Sequence, residues 1–485
     1  MTILDDLASD KKTALYIGGR WQAASDGETI EVLDPSTAEP IAEVASGSVE
    51  DAVAAVDAAA VALGSWSQTS PRSRSEILRS AWQLMAERAD GLAELIVSEM
   101  GKAQREARAE IVYAAEFFRW FSSEALTNDG SITTAPGGDK RIITICQPVG
   151  ISLLVTPWNF PAAMATRKIG PAIAAGCTMI LKPASDTPLT ALAIADILTE
   201  AGLPPGVLNV VPSSRSSKVV GAMLADDRVR KISFTGSTEV GRILLEQASA
   251  RIVNASMELG GNAPFLVFGD ADIDAAVEGA MIAKMRNGGQ SCIAANRFYV
   301  HASVAKEFSA KLSEAMAATR VGPGSDPDVD LGPLINRTAQ EDMSDVVDTS
   351  TGAGATVLTG GHAPNRKGFY FEPTVLGNVM PDSPVLSREI FGPIAPVVTF
   401  ESDDDAVRLA NDTIHGLASY VYSGDLSRAL RVAEEIEAGM VGINRGLISD
   451  PAAPFGGMKQ SGLGREGGHE GIAEFLETKY IAADW

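Results

Sequence analysis

The chain has 485 residues, 45% of them apolar, which is ample for large buried cores and argues against general disorder. Its 40 basic and 62 acidic residues leave a net charge of −22, a field that repels nucleic acid and anionic membranes but still admits an anionic small molecule where local cations reverse it. Three widely spaced cysteines argue against a disulfide framework and four scattered histidines against a metal site, so the composition predicts a soluble, metal-free protein of two or three domains in a reducing compartment.

In chain order, the acidic start Met1-Thr2-Ile3-Leu4-Asp5-Asp6 lacks the basic and apolar regions of a signal peptide. The longest apolar runs, such as Pro171 to Leu181, fall far short of the roughly 20 residues that span a bilayer. Both features predict a cytoplasmic location. Residues 50–64, 72–99 and Ile111 to Leu126 have apolar positions at helical spacing. Gly130 to Lys140 reads as a turn-rich break, and the β-branched stretch Arg141 to Val155 as strand. From Thr178 strands and helices alternate: Thr178 to Leu181, Val207 to Val211 and Lys231 to Phe234 as strands, with helices over Thr187 to Ala201, Ser216 to Leu224 and Glu239 to Ser249. This alternation predicts a parallel sheet that binds ligands beyond its carboxyl strand ends. A second α/β region has strands at Phe265 to Phe268, Asn296 to Val300, Ala395 to Phe400, Ser419 to Tyr422 and Met440 to Ile443. Its helix Ile273 to Arg286 leads to Cys292. The apolar tail, Ala473 to Ala483, reads as a strand seeking a partner in this chain or another subunit.

Cys292 is the one cysteine in polar surroundings, Asn287-Gly288-Gly289-Gln290-Ser291-Cys292, whereas Cys146 and Cys177 lie in apolar runs and read as core. A thiol on a glycine turn is a candidate nucleophile, and Glu258, in Met257-Glu258-Leu259-Gly260-Gly261-Asn262, offers a carboxylate framed in the same way. The asparagine of Thr156-Pro157-Trp158-Asn159-Phe160-Pro161 is a candidate oxyanion donor. Phe234-Thr235-Gly236-Ser237-Thr238 is a strand end, a glycine turn and a helix start that Ser237 or Thr238 can cap, leaving N–H groups for a phosphate. Leu181-Lys182-Pro183-Ala184-Ser185 puts a cation at a strand end, and Glu389-Ile390-Phe391-Gly392-Pro393 a carboxylate before a turn. Taken singly, each of these segments has an ordinary structural reading as a turn, a surface lysine or a local salt bridge.

Together and in this order, these segments resemble the NAD(P)-dependent aldehyde dehydrogenase superfamily over essentially the whole chain. Within it they are most similar to the succinate-semialdehyde dehydrogenase group. Ala163-Met164-Ala165-Thr166-Arg167-Lys168, Met285-Arg286-Asn287, Gly446-Leu447-Ile448-Ser449 and Ser461-Gly462-Leu463-Gly464-Arg465-Glu466-Gly467 carry the closer match. The resemblance implies an α/β aldehyde dehydrogenase-like fold with three parts. These are a Rossmann-type cofactor domain (1–130 and 148–259), a catalytic domain (260–445, with active-site segments to about 470) and a small β oligomerisation arm (131–147 and 471–485) that builds a homodimer or homotetramer.

It also implies roles. Cys292 attacks the aldehyde, Asn159 stabilises the oxyanion, and Glu258 is the general base for thioester hydrolysis, which argues against transfer to coenzyme A. Thr156, Pro157, Trp158, Asn159, Lys182, Pro183, Ala184, Ser185, Gly236, Ser237, Leu259, Glu389 and Phe391 contact NADP or NAD. Lys182 and Glu389 hold ribose hydroxyls, and Gly236 and Ser237 meet the pyrophosphate. Serine at position 185, where many NAD-preferring relatives have glutamate, implies that NADP is accepted unless Asp186 turns inward. Arg167, Arg286 and Ser449 bind the far carboxylate of succinate semialdehyde. Glutarate semialdehyde or another aldehyde is the alternative, and a non-catalytic protein on the same fold is a further one. Three departures stand out: Arg445 and Asp450, expected to pair with each other and be inert, the alternative being that Arg445 adds positive charge at the aldehyde tunnel and shifts preference to another acidic aldehyde, and Ala294, where some relatives have a second cysteine able to trap the nucleophile.

Overall fold

The computed structural model describes residues 12–127 and 130–484. The N-terminal segment Met1 to Asp6 lies outside them. Two large sheets organise the chain. The first has eight strands in the spatial order Arg20–Gln22, Leu15–Ile17, Leu208–Val210, Thr178–Lys182, Ile151–Val155, Val229–Thr235, Asn254–Glu258 and Gly462–Leu463. The five strands from Leu208–Val210 to Asn254–Glu258 are parallel, with antiparallel strands added at both ends. This is the Rossmann-type arrangement. Its central strands are buried on both faces, as covering helices require, and Val155, Lys182, Thr235 and Glu258 share one carboxyl edge.

The second sheet has seven strands in the order Thr356–Thr359, Thr374–Gly377, Ile394–Phe400, Ala295–His301, Ala263–Val267, Ala418–Tyr422 and Met440–Ile443. All are parallel except the first pair. The chain crosses between the sheets at Leu259 to Asn262, so Glu258 ends one sheet immediately before the other begins. A three-stranded antiparallel sheet stands apart: Ser131–Thr134, Arg141–Pro148 and Leu476–Ala483, with the central strand paired along the whole tail.

Several elements differ from the sequence reading. The helical stretch over 72–99 is two helices, Pro71–Glu87 and Ala89–Met100, which meet at Arg88. The turn-rich break over Gly130 to Lys140 contains the strand Ser131–Thr134, whose β-branched Ile132, Thr133 and Thr134 suit a strand and which pairs with Arg141–Pro148. The helix Pro161–Ala175 went unrecognised because every residue in it is buried, leaving no polar face to set a period, and because Pro171 lies inside it. Cys177 is buried, but Cys146 is half-exposed, because its strand belongs to the small outer sheet rather than to a core.

Candidate active site

Three left-handed residues in a row, Asn287 (φ 55°), Gly288 (63°) and Gly289 (75°), follow the helix Ile273–Met285 and reverse the chain into Gln290-Ser291-Cys292. The glycines are needed for clearance as well as for backbone angle: a Cβ on Gly289 would lie 2.2 Å from the Gly392 carbonyl oxygen, and one on Gly261 would lie 2.0 Å from the Cys292 carbonyl oxygen. The loops bearing Glu258, Cys292 and Glu389 are thus packed backbone to backbone.

Cys292 opens into a cavity of about 210 Å³ at the carboxyl edge of the first sheet. Pro157, Trp158, Asn159, Gly236, Ser237, Leu259, Glu389 and Phe391 from the sequence set line the same cavity. Burial pushes the Cys292 thiol up to about 12; the Arg167 charge opposes that rise, while Glu389 and Glu258 add to it. One N–H of the Asn159 side chain donates to the Gln290 carbonyl at 2.9 Å, which leaves its second N–H for a ligand. Asn159 Oδ1, Glu258 Oε2 and Thr235 Oγ1 are buried without hydrogen-bond partners, a concentration of unpaired polar atoms that marks a working site rather than a packed core.

Glu258 is 2% exposed, and burial together with the neighbouring Glu466 raises its pKa well above the usual carboxylate range. Glu466 is the residue that sequence reading missed. It is buried, ion-paired to both Arg167 and Lys168, and its own carboxyl is held low by those two cations. Its signal was the acid in Gly464-Arg465-Glu466, directly after the strand that places Gly462 opposite Glu258. Arg167 is therefore fully buried against an internal carboxylate, with its guanidinium 4.2 Å over the Phe455 ring, and it does not line the Cys292 cavity.

Arg286 and Ser449 come together, Nη1 to Oγ, at 3.1 Å. Arg286 lies over the faces of Phe160 (5.0 Å) and Tyr113 (5.6 Å), and it lines a second cleft of about 490 Å³ with Arg105, Glu106, Met285 and Leu447. The expected Arg445–Asp450 pair is not formed. Arg445 donates instead to the Leu447 carbonyl, and Asp450 accepts from the Ala452 N–H at 2.9 Å, because the turn satisfies each side chain locally.

The remaining residues frame a slot suited to a dinucleotide. Lys182 is 4% exposed at its strand end, and its ammonium has no hydrogen-bond or ion-pair partner among the described residues. Burial lowers it to about 8, with Asp186 partly offsetting the fall. A buried ammonium left in this state calls for oxygen ligands. Ser237 caps the helix Thr238–Ser249 by accepting from the Val240 N–H. Glu389 accepts from the Gly261 N–H at 3.0 Å, and burial raises it to about 7. Trp158 and Phe391 meet edge to face at 5.5 Å. The Thr156 N–H donates to the Lys182 carbonyl, tying Thr156-Pro157 to Lys182-Pro183-Ala184. Ser185 Oγ donates to the Ser213 carbonyl at 3.1 Å, and Asp186 accepts from Asn336 at 3.3 Å. Among the described residues no cluster of three His, Cys, Asp or Glu side chains has the arrangement to hold a metal ion, and no helix is long and apolar enough to cross a membrane.

Comparison with known proteins agrees with this geometry. The chain is 56% identical over 441 residues to a succinate-semialdehyde dehydrogenase of Paenarthrobacter nicotinovorans, covering 91% of this chain and 98% of that one. It is 48% identical over 466 residues to a glutarate-semialdehyde dehydrogenase of Pseudomonas putida, covering 96% of each. The crystal structure of an E. coli NADP-dependent enzyme superposes with a TM-score of 0.96 at 47% identity, covering 98% of both chains. The sequence profile of the aldehyde dehydrogenase family matches residues 21–481, and with an identity this high over nearly the full length the chain belongs to that family and is an aldehyde-oxidising enzyme.

Proposed function

We propose that the enzyme oxidises succinate semialdehyde to succinate, with NADP accepted alongside NAD. The observation that carries the substrate class is the Arg286–Ser449 contact, which joins a cation and a hydroxyl 163 residues apart beside Phe160, the neighbour of Asn159. The buried Tyr420 phenol donates to the Ile293 carbonyl, and the charges of both Arg286 and Cys292 act on it. In this reading a semialdehyde held at Cys292 would direct its far carboxylate to Arg286 and Ser449, a cation and a hydroxyl suited to bind it. The names of the two relatives support a semialdehyde that ends in a carboxylate.

In this reading the Cys292 thiol, raised by burial, first gives up its proton to solvent, and the thiolate, favoured by the Arg167 charge, attacks the aldehyde carbon. The free N–H of Asn159 and the backbone N–H of Cys292 stabilise the oxyanion of the thiohemiacetal. A bound nicotinamide cofactor supplies the hydride acceptor. Glu258 takes the proton of the water that opens the resulting thioester, and a carboxyl raised by burial is better matched to that task than an exposed one. Glu466, braced by Arg167 and Lys168, sets the field at Glu258. Lys182 and Glu389 would bind ribose hydroxyls, Gly236 and Ser237 the pyrophosphate, and Thr156, Pro157, Trp158, Pro183, Ala184, Leu259 and Phe391 the walls of the slot. The uncharged Ser185, with Asp186 tied to Asn336, leaves room for a 2′-phosphate.

We further propose the three-part division given above, with the small sheet as an oligomerisation arm. Among the described residues its outer strands Ser131–Thr134 and Leu476–Ala483 each pair along one edge only, and Ile132 and Tyr480 are 70% and 54% exposed, a surface that a second copy would cover. Cys177 and Cys292, neither of them in a disulfide, suit the cytoplasm.

Steady-state kinetics on succinate semialdehyde, glutarate semialdehyde and butanal, each with NAD and NADP, test the reading. The carboxylated aldehydes should exceed butanal in kcat/KM by about 10–100-fold, the scale of charge-assisted hydrogen bonding. Equal turnover of butanal refutes the substrate class, preference for the five-carbon substrate favours the glutarate reading, and strict NAD use refutes the NADP assignment.

A further inference from the structure

Ahead of and along the helix Gln104–Glu124 stand three ionisable side chains with no part in the chemistry above, and each contacts an active-site loop. Lys102 is 2% exposed. Its ammonium donates to Glu110 at 2.6 Å and to the main-chain carbonyl of Asn159 at 2.8 Å, and lies 4.1 Å over the Phe160 ring. The other oxygen of Glu110 accepts from the N–H groups of Ala162 (2.9 Å) and Ala163 (3.3 Å), capping the helix Pro161–Ala175, for which Phe160 supplies no side-chain cap. One helical turn before Glu110, Glu106 accepts from the Asn287 N–H at 2.6 Å. The Asn287 amide donates to the Asn159 carbonyl at 2.9 Å and to the Gln290 carbonyl at 3.0 Å, and the same Gln290 carbonyl receives the Asn159 side chain at 2.9 Å. The ring closes. The helix and Lys102 just ahead of it grip the Asn159 loop through Lys102 and Glu110 and the Cys292 loop through Glu106, and the two loops are bonded to each other.

A buried ion pair is weak support for stability, because desolvation offsets most of the Coulomb attraction and apolar replacements are often neutral. What these groups supply, and apolar ones would not, is directional contact at fixed separation. We propose that Lys102, Glu110 and Glu106 form a positioning clamp that sets the Asn159 amide relative to Cys292 and so governs the acylation step. None of the three touches the reacting atoms; all three act through Asn159 and Asn287. The proposal rests on the assignment of Asn159 as oxyanion donor.

A double-mutant cycle on the full-length enzyme with cofactor and succinate semialdehyde tests it, reading the single-turnover burst of reduced cofactor. Lys102→Met should slow the burst by about 10–100-fold, the cost of a misplacement near 1 Å, while KM for aldehyde and cofactor stays nearly constant. Lys102→Arg, which keeps the donors, should recover part of the rate. Lys102→Met combined with Asn159→Ala should be no slower than Asn159→Ala alone, since the clamp acts through that amide. Losses that multiply in the double variant, or a wild-type burst from Lys102→Met, overturn the clamp while leaving the function intact. A wild-type burst from Asn159→Ala sinks the oxyanion assignment and the clamp with it. Should Lys102→Met fail to fold, Lys102→Gln, a neutral side chain that retains a donor, runs the same cycle.

Discussion

Gly289→Ala probes the backbone packing that holds the thiol in place. Gly289 has φ 75°, a conformation that costs an alanine roughly 1–2 kcal/mol. The new Cβ would lie 2.2 Å from the Gly392 carbonyl oxygen, so that oxygen must retreat by roughly 1.2 Å before ordinary contact at 3.4 Å is reached. Overpacking of this kind adds about 1–3 kcal/mol. Neither side yields without consequence. The Gly289 loop carries Gln290, the anchor of Asn159, and Cys292, whereas the Gly392 turn carries Glu389 and Phe391. A displacement of this size at a reacting pair is worth on the order of 100-fold in rate. Urea unfolding followed by tryptophan fluorescence should show destabilisation of roughly 2–5 kcal/mol from the two terms, and stopped-flow absorbance should show the burst slowed about 100-fold. Gly352→Ala is the control. That glycine ends the helix Arg337–Gly352 with nothing within 4 Å of a new Cβ, so the change should be neutral or slightly stabilising. A Gly289→Ala enzyme that is fully stable and has a wild-type burst would refute the claim that close backbone packing sets the position of the thiol.

Cys292→Ser should abolish dehydrogenase turnover while still binding cofactor in a fluorescence titration; surviving turnover would remove the thiol from the mechanism. Glu258→Gln should release one equivalent of reduced cofactor and then stall with the thioester on Cys292, visible by intact-protein mass spectrometry. For the wild type, thioester hydrolysis should fail as pH drops through the raised pKa of Glu258, because the base is then protonated. Glu466→Gln removes a negative neighbour and leaves Arg167 and Lys168 to act on Glu258 alone, so this acidic limb should move to lower pH; a limb that stays in place contradicts the coupling. Peroxide should oxidise Cys292 without forming an intrachain disulfide to a near neighbour, since Ala294 stands two residues on; a reversible disulfide in a peptide map would contradict this.

What was legible in the sequence was local. Cys292, Glu258 and Asn159 announce themselves because each sits among glycines or prolines that serve a tight turn, and the strand–helix alternation after Thr178 reports the parallel sheet directly. Partnerships across the chain were not legible. Glu466 meets Lys168 across 298 residues and Glu106 meets Asn287 across 181, and no local pattern encodes either. The helix Pro161–Ala175 was hidden by complete burial, which erases the periodicity that betrays a half-exposed helix. Cys146 was misread because an apolar run looks the same whether it fills a core or an outer sheet. Arg445 and Asp450 were expected to neutralise each other by proximity, yet each is satisfied by a main-chain group within two residues.

The pairing of Lys168 with Glu466 also bears on how the protein is made. At ribosomal speeds of about 5–20 residues per second, the 298 intervening residues separate the two partners by roughly 15–60 s. Throughout that interval the nascent chain holds Arg167 and Lys168, both destined for the interior, without the carboxylate that neutralises them, and its first sheet lacks the edge strand Gly462–Leu463. The helix that carries these cations therefore gains its neutralising partner only once Glu466 has been made. A chain that stops short of Gly462 keeps two uncompensated interior charges and an unfinished sheet.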